Sequence, residues 1–468
     1  MIRLKRMAVG AIRSFSSKIT PIPRIAIIGS GPAGFYTAQH LLKSNSKLHV
    51  DIYEKLFAPY GLVRYGVAPD HPEVKNVIST FSKTAINDRC RWIGNVEIGR
   101  DISIRDMRKA YSALVFSYGC QIDKLLNIPG ENLKGVYSAR EFVEWYNGLP
   151  SASTLNPNLD CEDVVILGQG NVAIDVARMF LSPLDELRKT DISEYALDKI
   201  SKSRVKRVHL VGRRGPLQAA CTIAELRELT KLPNCFGIIT HQEVEFLREK
   251  IKELPRPKKR MMELMLKIAD SSIDNKIDFQ KQWSLSFFKS PLEFLPSEEN
   301  PDQLGKIRFS LNKLKDNIAY PTGETVELST NLAFRSIGYR GVGIPGLPFD
   351  SERGLIPNKN GSVINERGLY CSGWIKRGPT GVIATTMNDG FETAKTILED
   401  INSSRIDITS DQLGFDGLAN SLKDIKVKPL NYQDWSKIDM IETQVGTAKG
   451  KSREKFVDIQ EVFKLLDH

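Results

Sequence analysis

Two short glycine-rich turns are the parts of this sequence best suited to chemistry. The first reads Gly29-Ser30-Gly31-Pro32-Ala33-Gly34, spaced G-x-G-x-x-G; the second reads Gly168-Gln169-Gly170-Asn171-Val172-Ala173, spaced G-x-G-x-x-A. In such a turn one glycine allows the tight bend, the next lets backbone approach a pyrophosphate, and the last small residue permits close helix–strand packing. A helix beginning there offers free N–H groups and the positive end of its dipole to the phosphates. The end of the second strand in each unit then selects the nucleotide. Glu54 stands 20 residues beyond Gly34, where a carboxylate accepts hydrogen bonds from a ribose diol. After the second turn that place is taken by Gly212-Arg213-Arg214-Gly215. Two guanidinium groups hold a 2′-phosphate through charge-assisted bonds, whereas a carboxylate would repel it. The first turn is therefore expected to take FAD and the second NADPH.

Each turn needs a strand before it and a helix after it. The first has Arg24–Ile28 as strand, Phe35–Leu42 as helix and His49–Tyr53 as second strand. The second has Val164–Leu167, then a helix over Ala173–Leu181, then Val208–Val211, delayed by an insertion between about residues 182 and 206. Two further apolar runs end at a glycine, Ser112–Tyr118 before Gly119 and Leu332–Ile337 before Gly338. They bracket the second turn. The expected fold is α/β with two Rossmann-like dinucleotide-binding domains, the NADP domain (123–347) inserted in the FAD domain (22–122 and 348–468). Residues 279–312 alternate like antiparallel strands, and 403–468 read as a wrapping segment with one helix near 456–466.

Bulk properties exclude several classes. With 41% hydrophobic and 26% charged residues the composition is that of a globular protein. No apolar run approaches the roughly 20 residues that span a bilayer. The first acidic residue is Asp51, and residues 1–20 carry Arg3, Lys5, Arg6, Arg13 and Lys18, the pattern of a mitochondrial transit peptide. Its removal would lower the net charge from +10 to +5. The six cysteines form no C-x-x-C pair and no zinc or iron–sulfur ligand set, so electrons must pass through the cofactor alone. That speaks against a disulfide reductase. A flavin monooxygenase and a non-catalytic nucleotide-binding module remain compatible with the turns by themselves. Aromatic residues do not interleave the basic ones as on a nucleic-acid surface.

Three longer stretches are more specific. They are Tyr60-Gly61-Leu62-Val63-Arg64-Tyr65-Gly66-Val67-Ala68-Pro69-Asp70-His71-Pro72, Val208 through Glu228, and Ser372 through Met387. On these the chain, from about residue 22 to its C-terminus, resembles the mitochondrial adrenodoxin reductase family of NADPH:ferredoxin oxidoreductases. The resemblance implies FAD contacts at Ala33, Glu54, Leu62, Ile98, Trp374, Gly381, Val382 and Ile383, beside the fingerprint glycines Gly29, Gly31 and Gly34. It implies NADP contacts at Gln169, Gly170, Asn171, Val172, Arg213, Arg214, Glu225 and Gly381. Hydride would pass from NADPH to FAD, and single electrons from FAD to a [2Fe–2S] ferredoxin. The likeness suggests His71, Asp175 and Glu225 for proton handling, and Arg227, Arg256 and Arg260 as contacts for the acidic ferredoxin. The charge run Arg256, Lys258, Lys259, Arg260 would, on pattern alone, be only a solvated face. A monomer in the mitochondrial matrix, forming a transient complex and compatible with peripheral attachment to the inner membrane, is the expected setting.

Overall fold

A computed structural model describes residues 21–274 and 280–466; the basic leader lies outside them. Strands β1 (Arg24–Ile28), β2 (His49–Tyr53), β3 (Cys90–Ile93) and β4 (Ala113–Phe116) open the chain, and β5 (Ile122–Asp123) follows. Next come β6 (Val136–Ser138), β7 (Asp163–Leu167), β8 (Arg207–Val211), β9 (Cys235–Ile239) and β10 (Lys281–Ser286). β11 (Lys289–Pro296), β12 (Leu304–Lys315) and β13 (Ile318–Ser329) form an antiparallel meander. β14 (Leu332–Arg335) precedes β15 (Tyr339–Arg340), which pairs back on β5. β16 (Asn358–Lys359), β17 (Ser362–Val363) and β18 (Leu369–Cys371) come last.

Two sheets result. One has the order β16-β17-β18-β4-β1-β2-β3, the other β6-β14-β7-β8-β10-β9. Every strand of the second lies within residues 136–335, between the two stretches of chain that build the first. All pairs of the second sheet are parallel, as are β18–β4–β1–β2–β3 of the first. Helices cover both faces, which is why Ala113–Phe116 is buried at every position and reads as continuous apolar sequence.

Two expectations need correction, those for 279–312 and for the tail, and the insertion gains its detail. β10 belongs to the parallel sheet, not to the antiparallel strands read over 279–312; alternation reports burial on one face and says nothing of strand direction. The insertion near 182–206 forms two short helices, Leu184–Leu187 and Glu194–Ser201. The tail carries not only the late helix, at Ile459–Leu465, but also Ala419–Asp424 and the longer Tyr432–Ala448. The last begins in a capping box between Asn431 and Asp434. Its buried positions include Trp435, Ile438, Glu442 and Gly446, so a charge and a glycine interrupt the apolar stripe.

Those exceptions are interface residues. Glu442 accepts from Arg64 at 2.5 Å and Arg453 at 3.0 Å. A Cβ on Gly446 would lie 2.3 Å from the Arg453 backbone. The segment that follows crosses to the inserted unit. Lys451 donates to the Ile192 carbonyl at 2.5 Å, and buried Lys455 pairs with Asp191 at 3.0 Å, a carboxylate that Lys75 also holds at 2.7 Å. Burial lowers the Lys455 pKa to about 7, opposed by Asp191, and Asp191 itself is held well below the usual carboxylate range. One carboxylate thus joins the Pro72–Val77 turn, the inserted unit and the tail.

Candidate functional site

The first turn sits where β1 meets the Pro32–Ser44 helix. Gly29 has φ +106°, and its N–H donates to the Tyr53 carbonyl at 2.8 Å. A Cβ on Gly34 would come within 2.2 Å of the Gly29 carbonyl oxygen, so Gly34 is required for close packing. A Cβ on Gly31 would meet nothing within 4 Å: this glycine faces open space at the helix N-terminus. Glu54, at the end of β2, is buried beside it. One carboxylate oxygen accepts from the Ser30 N–H at 3.1 Å and the Ser30 hydroxyl at 2.7 Å, the other from the Leu56 N–H at 3.1 Å. Glu54 is therefore fixed before any ribose arrives.

Other predicted residues gather around this trough. Gly61 brings the Leu62 turn against Gly31, where a Cβ would lie 3.1 Å from the Gly31 Cα, and Leu62 stays exposed. Gly373, just before Trp374, packs against Ala33, whose side chain a Cβ there would meet at 2.6 Å. Trp374 stacks on Tyr339 with ring centroids 5.7 Å apart. Ile98 is buried in the loop after β3. Gly381, at φ +80°, and Val382 precede the Ile383–Asn402 helix, which packs on the Pro32–Ser44 helix through Gly390. An open helix N-terminus, a buried acceptor and a flanking indole fit a flavin dinucleotide.

The second turn repeats the geometry. Gly168 has φ +135°, and a Cβ there would lie 2.2 Å from the Ser336 carbonyl oxygen, while one on Gly170 would meet nothing within 4 Å. The Gln169 amide nitrogen donates to the carbonyls of Leu210 and Ser286 at 3.1 and 2.8 Å, so this side chain locks β8 to β10. Asn171 accepts from the Thr222 N–H at 3.0 Å, and Val172 is partly buried on the same helix. Past β8, Arg213 and Arg214 are both exposed, and neither has an acidic partner among the described residues. Two unpaired guanidiniums beside an open phosphate cradle fit NADPH.

His71, Asp175 and Glu225 come together at Arg178, which the sequence reading missed. Arg178 is 2% exposed and is held by carboxylates from three segments. It donates to Asp70 at 2.8 and 3.3 Å, Asp175 at 2.6 Å and Glu225 at 2.9 Å, and Glu228 lies 3.2 Å away. His71 sits between Glu73 at 2.9 Å and Glu228 at 3.1 Å. Burial pushes Asp175 up to about 7 against the pull of Arg178. Burial alone would lower the His71 pKa, but the hydrogen bond to Glu73, with Asp70 and Glu228 nearby, outweighs it and raises the net value. Ligand atoms of His71, Asp175 and Glu225 lie within 4.8 Å of one another, a spacing that suits a cation, and the guanidinium of Arg178 already supplies positive charge there. The sequence did hold a signal, Asp175 and Arg178 at i and i+3 on one helix face.

All six cysteines are free, and burial pushes Cys120 and Cys371 to about 12. Arg227 lies exposed on the Ile223–Lys231 helix, with Arg256 and Arg260 exposed on the Arg256–Asp274 helix packed against it. No helix among the described residues is long and apolar enough to cross a membrane.

Two nucleotide cradles on separate parallel sheets define a pyridine-nucleotide oxidoreductase fold, and residues 23–228 match the family described as pyridine nucleotide-disulphide oxidoreductase. The mitochondrial NADPH:adrenodoxin oxidoreductase of Salvelinus fontinalis is 49% identical, covering 95% of this chain and 91% of its own. The Homo sapiens protein of that name is also 49% identical, over 95% and 92%. The structure of Mycobacterium tuberculosis FprA in complex with NADPH superposes with a TM-score of 0.89 at 36% identity, covering 95% of this chain and 99% of that one. The chain belongs to the NADPH:adrenodoxin oxidoreductase family.

Proposed function

We propose that this chain is an FAD-dependent NADPH oxidoreductase that passes electrons to a mitochondrial adrenodoxin-type [2Fe–2S] ferredoxin. The observation that carries the reading is the contrast between two otherwise alike turns: buried Glu54 ends one, and exposed Arg213 and Arg214 end the other. FAD, when bound, accepts a hydride and releases electrons singly. The chain's own residues supply the rest. Gly29, Gly31, Ala33, Gly34, Glu54, Leu62, Ile98, Trp374 and Gly381 to Ile383 hold the flavin nucleotide within residues 22–122 and 348–468. Gly170, Asn171 and Val172 hold the NADPH pyrophosphate, and Arg213 with Arg214 its 2′-phosphate. Gln169 contributes through its backbone, since its amide nitrogen is engaged with the sheet.

Proton handling falls to Asp175, whose carboxyl holds a proton up to about neutral pH, and to His71, whose imidazole binds one more readily than usual. Arg178, itself paired with Glu225, keeps Asp175 oriented, and Glu73 and Glu228 orient His71. Arg227, Arg256 and Arg260 offer the acidic ferredoxin a salt-sensitive docking face. We place the reaction in the mitochondrial matrix, with a monomeric enzyme able to associate peripherally with the inner membrane. The test is NADPH-driven reduction of cytochrome c with and without a mitochondrial [2Fe–2S] ferredoxin. Reduction equally fast without ferredoxin refutes the reading.

A further inference from the structure

The arginine loop after β8 is held by the end of β10, by the Phe288 turn and by an element the reaction does not otherwise use, the meander β11–β13. The Gly212 N–H donates to the Ser286 carbonyl at 2.8 Å, and the Gly212 carbonyl accepts from the Lys289 N–H at 3.0 Å. The Arg214 carbonyl accepts from the Phe288 N–H at 3.1 Å. Between them, the Arg213 carbonyl accepts from a side chain, the Asn312 amide, at 2.9 Å. That amide nitrogen also donates to the Ser290 hydroxyl at 2.8 Å, which fixes its orientation.

Asn312 reaches Arg213 because β12 is irregular there. The register with β13 shifts between Ser310 and Asn312, and a bulge of this kind re-aims the next side chain. The hairpin tip makes a second attachment: Asn317, at φ +62°, accepts from Gln218 at 2.8 Å, just beyond Gly215. The Phe288 ring packs beneath Gly215, where a Cβ would lie 2.7 Å away. All three carbonyls from Gly212 to Arg214 are thus taken up, while neither guanidinium has an acidic partner among the described residues.

We infer that Asn312 is a positioning residue for NADPH specificity, acting through the backbone of Arg213 to hold the guanidinium pair where a 2′-phosphate must sit. The inference rests on the assignment of Arg213 and Arg214 to that phosphate. A loop with one carbonyl released spreads its side chains over more orientations, and the ordering then falls on the ligand. Nothing in this contact reaches the part of the nucleotide that NADH and NADPH share.

The test uses the flavin-loaded enzyme with NADPH and NADH as donors, and 2′,5′-ADP against 5′-AMP as inhibitors. Asn312→Ala should raise the KM for NADPH and the inhibition constant of 2′,5′-ADP by roughly 3- to 10-fold, the worth of one such hydrogen bond. It should leave kcat, the KM for NADH and inhibition by 5′-AMP unchanged. Adding Asn312→Ala to the Arg213→Ala, Arg214→Ala double variant should cause no further loss. Equal losses with both donors make Asn312 merely structural and overturn the inference. So does an unchanged preference in Asn312→Ala while the double-arginine variant loses it. A double-arginine variant that keeps its NADPH preference overturns the phosphate assignment itself.

Discussion

Replacing Arg178 with methionine removes the permanent cation from a knot of carboxylates while filling similar volume. In the native protein the guanidinium, 2% exposed, answers Asp70, Asp175 and Glu225 within 3.3 Å, with Glu228 at 3.2 Å. Removing one partner of a buried ion pair costs about 3–5 kcal/mol, because the remaining charges stay buried without compensation. The cost does not multiply by the number of partners. Asp175, already raised to about 7 by burial, responds by keeping its proton to higher pH once the attraction of Arg178 is gone. The sign follows from linkage. A carboxyl raised from 3.8 to about 7 adds stability that is complete below its unfolded pKa and is lost as pH rises through its folded value. In Arg178→Met that loss moves to higher pH, and the remaining carboxylates repel most when ionised. The stability deficit should therefore be largest above pH 7 and shrink toward pH 5. Urea unfolding followed by tryptophan fluorescence from pH 5 to 8.5 reads it directly. The pH profile of kcat/KM for NADPH should shift its midpoint upward in the same variant. A deficit under about 0.5 kcal/mol at every pH, the level of an ordinary surface substitution, would refute the reasoning.

Other outcomes follow from the same geometry. Arg213→Ala with Arg214→Ala should weaken NADPH use by about 2–4 kcal/mol while sparing NADH, by loss of charge-assisted bonds; the ratio of kcat/KM values for the two donors checks it. Glu54→Ala strips the acceptor from Ser30 and Leu56 and should lower the flavin-to-protein absorbance ratio of purified enzyme; full flavin content would contradict the ribose assignment. Charge reversal at Arg227, Arg256 and Arg260 together should raise the ferredoxin KM and flatten its salt dependence, while flavin reduction by NADPH keeps its rate.

Local spacing carried the most information in this sequence. Each nucleotide turn lies within a few residues of its strand and helix, Glu54 ends the strand 20 residues after Gly34, and Arg213–Arg214 end the corresponding strand after the insertion, so both cradles are legible in the sequence. Arg178 was not, because a guanidinium inside an amphipathic helix reads as solvated until the Asp70 loop and the Ile223–Lys231 helix bring their carboxylates to it. Asn312 was hidden for a similar reason: its role depends on a bulge, and nothing in a strand's alternation marks one. The Tyr432–Ala448 helix escaped because Glu442 and Gly446 occupy buried positions where the helical period calls for apolar residues. Direction was unreadable as well. The alternation of β10 looks alike in a parallel and an antiparallel neighbourhood.

The strand order of the first sheet carries a consequence for biosynthesis. β4 presents its outer edge to β18, whose residues Leu369–Cys371 are made about 250 positions after Phe116. At roughly 5–20 residues per second a ribosome needs on the order of 10–50 s to supply them. Through that interval the apolar Ala113–Phe116 edge has no partner, the condition under which strands pair with the wrong chain. The inserted sheet needs nothing from beyond residue 335 to complete its hydrogen bonding, so it can close first. The nascent flavin half must then be kept from aggregating until the last quarter of the chain arrives, and a chaperone that shields short apolar edges would have its longest task there.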